Sequence, residues 1–84
     1  MIHARKDYDR IQDPANLIGR DEPVMLFRAQ DVLAPVILVK YAELLRQHGC
    51  QQGMIDLVLA HEVRMRQWQR DNKCKLPDVP EDVL

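Results

Sequence analysis

The chain has 84 residues, of which 46% are hydrophobic and 30% charged, and its formal net charge is −1 at pH 7. These proportions are those of a globular chain with one small core, which excludes a multidomain protein and a disordered one. The nearly balanced charge argues against nucleic acid and anionic membranes as partners, because neither would attract the chain in bulk.

The compartment follows from what the chain lacks. No apolar run is long enough for a membrane span, and the N-terminus is polar rather than signal-like. Cys50 and Cys74 are too few for a disulfide framework, so we expect reduced thiols. We therefore expect a cytoplasmic protein whose residues 1–84 form a single domain.

Residues 1–20 are predicted to form an extended arm, since they show neither a helical nor a strand period. Turns are expected at Asp13-Pro14 and at Gly19. Five large apolar side chains would be unusual on a free tail, which favours an arm packed against a neighbour. These side chains are Ile2, Tyr8, Ile11, Leu17 and Ile18.

Residues 23–30 are predicted to form a strand. Pro23 suits a strand entry because it cannot donate to a ladder, and the residues that follow are mostly apolar, with β-branched and aromatic types among them. Asp31 then follows as a candidate cap for the turn before the next helix, and Pro35 suits a first helical turn.

Two amphipathic helices follow, at 34–48 and 54–72. Their apolar residues recur at three- and four-residue spacing, and Gly49 is a typical residue to end the first helix. Because only a few residues join them, the helices should form an antiparallel hairpin. Residues 76–84 contain two prolines and three acids, which predict an extended tail.

The predicted fold is therefore α+β: an N-terminal extended arm, one or two short strands, and an antiparallel helix hairpin. The apolar faces of the helices exceed what one strand can cover, and 84 residues give a marginal core. We expect a homo-oligomer, most simply a dimer, with a helical core. The predicted interface residues are Tyr41, Leu45, His61, Met65 and Trp68.

Enzymatic signatures are missing, so we expect a protein that is not an enzyme and needs no cofactor. The chain has no Ser or Thr to act as a nucleophile, and its three glycines do not cluster into a phosphate-binding loop. His61-Glu62 begins like a zinc-protease motif, but Met65 stands where the second histidine is required. We predict no catalytic and no metal site.

One group of residues points to a small anionic ligand such as a nucleotide. Arginine and lysine can grip phosphate, tyrosine can stack on a base, and a helix start attracts anions. The simpler alternative is that these charges are a solvated surface and that Asp31 is a helix cap. The candidate ligand-binding residues are Arg5, Lys6, Tyr8, Arg10, Arg28, Gln30 and Asp31.

A second function class is binding to another protein. Helix two is basic toward its C-terminus, where cations also favour the helix dipole. Arg66 and Arg70 are the predicted partner-binding residues on its surface.

Two segments carry a family resemblance. Tyr8-Asp-Arg-Ile-Gln-Asp-Pro14 and Asp21-Glu-Pro-Val-Met-Leu-Phe-Arg-Ala-Gln-Asp31 resemble small phage and prophage proteins of unassigned function. Those proteins similarly pair a YDRIQDP-like arm with a DEPVFLLRAQD-like strand and two helices. The resemblance implies a setting in the cytoplasm of an infected host cell. It also implies a protein that blocks host defence, by occluding a host protein or by sequestering a nucleotide messenger.

Overall fold

A computed structural model describes residues 1–83 of the chain. It divides them into two compact units, one made of Met1–Phe27 with residues 78–83, the other of Arg28–Pro77. The first unit contains a small parallel sheet and the second a helical hairpin. The helix hairpin is thus confirmed, and the short sheet beside it agrees with the predicted α+β class.

The sheet of the first unit has two strands, β1 (Ile2–His3) and β2 (Pro23–Val24). They run parallel, with Ile2 beside Pro23 and His3 beside Val24. The amide of Ile2 donates to the carbonyl of Glu22 at 2.7 Å, and that of Ala4 to Val24 at 2.8 Å. The start of the arm is therefore hydrogen-bonded to the segment predicted as a strand.

The second strand is shorter than the predicted range of 23–30. A strand persists only where a partner strand supplies hydrogen bonds, and β1 provides just two residues. Met25, Leu26 and Phe27 consequently lie outside the sheet with partly exposed side chains.

The remainder of the first unit is built from turns. The carboxylate of Asp13 accepts hydrogen bonds from the amides of Leu17 and Ile18 at 3.0 and 2.9 Å. Lys6–Tyr8 form one 3-10 turn and Glu81–Val83 another. The second of these lies in the segment predicted as an extended tail. A 3-10 turn needs few hydrogen bonds, and Pro80 before it accepts one from Val83 at 2.9 Å. Residue 84 lies outside the described residues.

The hairpin of the second unit consists of α1 (Ala34–Gln47) and α2 (Gln52–Asp71). Gly49 adopts a left-handed φ of 68° at the end of α1. The amide of Cys50 donates to Leu45 at 2.9 Å and that of Gly49 to Arg46 at 3.2 Å. This is the Schellman arrangement, which satisfies the last carbonyls of a helix and turns the chain back. The short connection makes the two helices antiparallel.

The core of the second unit lies between these helices. Ala42 and Leu45 of α1 pack against Ile55 and Val58 of α2, with Leu38 and Leu59 at the margin. The closeness of the helices depends on Ala42, which is 1% exposed and leaves no room for a larger side chain. Met65 extends the buried stripe of α2.

The chain before α1 is tied to the chain after α2. The amide of Val32 donates to the carbonyl of Lys75 at 3.1 Å, and that of Lys75 donates to Gln30 at 3.0 Å. Asp31 and Lys75 thus form an isolated parallel bridge. The Nε2 of Gln69, on α2, donates to the carbonyls of Ala29 and Asp31 at 2.9 and 3.1 Å. These contacts fix the approach of the chain to α1.

Candidate functional site

The predicted ligand-binding residues are divided between the two units. Arg5, Lys6, Tyr8 and Arg10 belong to the first, whereas Arg28, Gln30 and Asp31 belong to the second. Each unit therefore holds only part of the predicted set.

In the first unit, Arg5 is already engaged. Its Nε and Nη2 donate to the two carboxylate oxygens of Asp7 at 3.0 and 2.7 Å. Its guanidinium carbon lies 3.9 Å from the centre of the Tyr8 ring. The hydrogen bond to Asp7 raises the pKa of the Arg5 guanidinium. The fork of Arg5 is thus occupied, and Lys6 and Arg10 are the exposed cations of this cluster.

In the second unit, Asp31 acts in the turn before α1. Its Oδ1 accepts from the amide of Leu33 at 2.8 Å, and its carbonyl accepts from Ala34 at 3.0 Å. The carbonyl of Gln30 accepts from Lys75, while Arg28 is exposed. The roles that these contacts give to Asp31 and Gln30 are structural: one caps the turn and the other takes part in the bridge.

The predicted interface residues separate into two groups. Leu45 and Met65 are buried, so they belong to the core of the single chain. Tyr41, His61 and Trp68 are exposed. Periodicity grouped all five because it reports an apolar stripe without showing which part of the stripe the other helix covers.

Most of the exposed apolar residues of the hairpin form one stripe on each helix. On both helices each residue of the exposed stripe comes one position before a residue of the buried stripe or of its continuation. Successive helical residues are about 100° apart around the helix axis, so the exposed stripe is rotated by about 100° from the buried stripe, in the same direction on both helices. Two antiparallel helices are related by a two-fold axis perpendicular to the plane that contains them. Equal rotations about the two helix axes therefore bring both exposed stripes to the same side of that plane. This apolar side comprises Leu33, Ile37, Tyr41 and Leu44 from the first stripe and Met54, Leu57, His61 and Trp68 from the second.

The opposite side of the hairpin has a different chemistry. The residues rotated the other way from the buried stripes are aliphatic in the middle and carry guanidinium groups toward both ends. Arg66 pairs with Glu62 at 2.6 Å, whereas Arg46 and Arg70 make no ion pair with any of residues 1–83. This arginine side comprises Val39, Arg46, Leu59, Val63, Arg66 and Arg70.

Sequence reasoning found Arg66 and Arg70 but not Arg46, and it found three members of the apolar side. The other members of the apolar side could have been found from the width of the apolar arc on each helix. On α1 the arc includes Leu33, Ile37 and Leu44 at helical spacing, and on α2 it includes Leu57. An apolar arc this wide is only partly covered by the other helix of the hairpin, so the rest of it stays exposed.

Within residues 1–83, no three His, Cys, Asp or Glu side chains are grouped closely enough to hold a metal ion. Neither α1 nor α2 in the described chain combines the length and the apolar character of a membrane span. Cys50 is exposed and Cys74 partly buried, and both are free thiols.

No protein-family model, curated protein or solved structure matches this chain.

Proposed function

We propose that this chain is a non-enzymatic protein-binding protein, an inhibitor or adaptor that acts as an oligomer. The observation that carries the proposal is the arginine side of the hairpin. Arg46 and Arg70 are exposed and lack ion-pair partners among the described residues, and Val63 lies between them with half of its surface exposed. Aliphatic groups flanked by arginines are typical of protein-binding surfaces, where arginine is enriched.

The partner that fits this side carries acidic groups around an apolar contact. Charge complementarity of this kind speeds association and selects the partner. The resemblance of residues 8–14 and 21–31 to phage proteins suggests that the partner is a host protein, met in the host cytoplasm. A defence protein is the partner class that this setting favours.

Reversing two charges tests the proposal. The double variant Arg66→Glu and Arg70→Glu should weaken binding to a partner recovered from host extract by at least about tenfold, or 1.4 kcal/mol. Arg20→Glu is the control for charge, since Arg20 is an exposed arginine outside the hairpin and thus outside both of its sides. Affinity is measured by surface plasmon resonance, and circular dichroism confirms that each variant is folded.

The result that contradicts the surface assignment is equally specific. If the double variant binds as tightly as the unaltered chain, and removal of residues 1–13 also leaves binding intact, neither the arginine side nor the arm holds the partner. An equal loss in Arg20→Glu would show that only net charge matters.

A second candidate function is an oligomeric protein that binds or sequesters a small anionic ligand such as a nucleotide messenger. Lys6 and Arg10 favour it, since both are exposed cations that lie two residues from Tyr8 in the sequence of the first unit. The Tyr8 ring already has the guanidinium of Arg5 over it, and aromatic rings of this kind also stack on nucleobases. A nucleobase-absorbing compound released on denaturing the natively purified protein would support this function. A thermal shift with nucleotides that Arg10→Gln abolishes would support it further.

A further inference from the structure

Residues 1–83 leave the apolar side of the hairpin partly exposed. Its seven large apolar side chains, which are Leu33, Ile37, Tyr41, Leu44, Met54, Leu57 and Trp68, are each between 36% and 63% exposed. Taking roughly 200 Å² for a large side chain, these fractions amount to about 600 Å² of apolar surface. The largest apolar patch on a typical monomer is about 300–600 Å², so this side lies at the upper limit.

We infer that the apolar side is a homodimer interface, occupied by the same side of a second copy of this chain. The inference shares one assumption with the proposed function, namely that exposed surfaces of the hairpin bind other protein chains. It departs from the interface expected from sequence, because Leu45 and Met65 lie within one chain's core.

The area of this side matches what a second copy needs. A standard interface buries about 800 Å² on each partner, and about 600 Å² of apolar centre with a polar rim approaches that value. Arg64 and Lys40 lie at its edges and supply such a rim. The long stems of both side chains can cover apolar surface while their charges stay in water.

The charge pattern also fits self-association. In a two-fold interface each patch meets its own copy, so a strongly charged patch would repel itself. None of the eight residues of the apolar side is an acid, a lysine or an arginine. The arginine side lies on the opposite face of the hairpin, and a copy of it would meet arginine with arginine.

The small core supplies the remaining argument. Among residues 1–83 the buried apolar residues are few: Ala34, Pro35, Ala42, Leu45, Ile55, Val58 and Met65. Domains of this size often depend on oligomerisation for stability. Face-to-face packing of two hairpins gives a four-helix core in which each pair of stripes is buried.

The test is the mass of the whole chain in solution, measured by sedimentation velocity and by light scattering after size exclusion. At a protein concentration of about 100 μM we expect twice the chain mass of 9.8 kDa, which requires a dissociation constant well below that concentration. Leu57→Glu and, separately, Leu44→Glu should halve that mass, because each places a carboxylate in the interface. Both side chains are more than half exposed within one chain, so folding should be kept.

Val63→Glu is the matched control. Val63 is also half-exposed on α2 but lies on the arginine side, and its replacement should leave the dimer intact. A monomer or any assembly other than two chains for the unaltered protein overturns the inference. So does a dimer that survives both leucine replacements, or one that Val63→Glu disrupts while circular dichroism shows the helices intact.

The same variants separate this inference from the proposed function. If Val63→Glu loses the partner but stays dimeric, both proposals stand. If the chain is monomeric and still binds a partner through Arg66 and Arg70, the dimer fails and the function stands.

Discussion

Gly49 and Gly53 flank the turn of the hairpin and have opposite requirements. Gly49 has a φ of 68°, where a Cβ would meet no atom within 4 Å but would strain the backbone. Gly53 lies in the first turn of α2, and a Cβ there also has open space. Both positions therefore have room for a Cβ atom, and only the backbone conformation distinguishes them.

Alanine replacements should separate these two effects. Gly49→Ala should lower the free energy of unfolding by about 1 kcal/mol, because a left-handed conformation is unfavourable for alanine. Gly53→Ala should raise it by about 0.5 kcal/mol, since alanine loses less chain entropy on entering a helix. Urea denaturation of the two variants at equal concentration checks both signs. A stabilised Gly49→Ala would show that the turn adopts another conformation.

Helix α2 performs two tasks with a single stripe. Val58 and Met65 of the stripe pack in the core, and Gln69, one turn beyond Met65, holds the loop before α1 through the carbonyls of Ala29 and Asp31. A polar side chain at core spacing is the signal in the sequence for such a contact. The position of this loop on α2 thus depends on hydrogen bonds from the Gln69 side chain.

Replacing Gln69 by alanine should destabilise the protein by about 1–3 kcal/mol. The cost arises because the carbonyl of Ala29 would lose its hydrogen-bond donor in a partly buried position. Gln67→Ala is the control, because Gln67 is an exposed glutamine on the same helix, and we expect a change within about 0.5 kcal/mol. Equal effects in chemical denaturation would mean that the Gln69 contacts contribute nothing.

The helix pair could be predicted from the sequence because its determinants are local. Spacing of apolar residues and the glycine at 49 suffice to place two helices and the turn between them. The extent of β2 could not be predicted, because it depends on β1, about twenty residues away. The interface residues were only partly predicted, since a stripe does not show whether Leu45 faces the other helix or Tyr41 does. That distinction requires the pairing of the helices.

The buried hydrophobic residues of the described chain all fall between Ala34 and Met65, so they belong to the second unit. The first unit is held by the β1–β2 hydrogen bonds, by turns around Asp13, and by half-buried side chains. Regions with few buried apolar groups open at lower free energy than a packed core. The two units should therefore differ in local stability.

Native-state hydrogen exchange should reveal this difference. We expect the amides of Ile2 and Ala4, although hydrogen-bonded, to exchange much faster than amides of α1 and α2 near Ala42 and Val58. Measurement by NMR or mass spectrometry would show protection concentrated in the hairpin. Equal protection in both units would indicate that the chain opens only as a whole.

The division of the chain also bears on the order of events during synthesis. The second unit is one continuous segment, Arg28–Pro77, whereas the first combines residues 1–27 with residues 78–83. The N-terminus of a chain leaves the ribosome first, so the hairpin can fold as soon as α2 has emerged. The first unit has to wait for the residues that follow. Until then β1 and β2 rely on each other alone, and an isolated two-stranded pair has little stability in water. A chain truncated before residue 78 should therefore keep its helices while leaving its N-terminal segment accessible to proteases and chaperones.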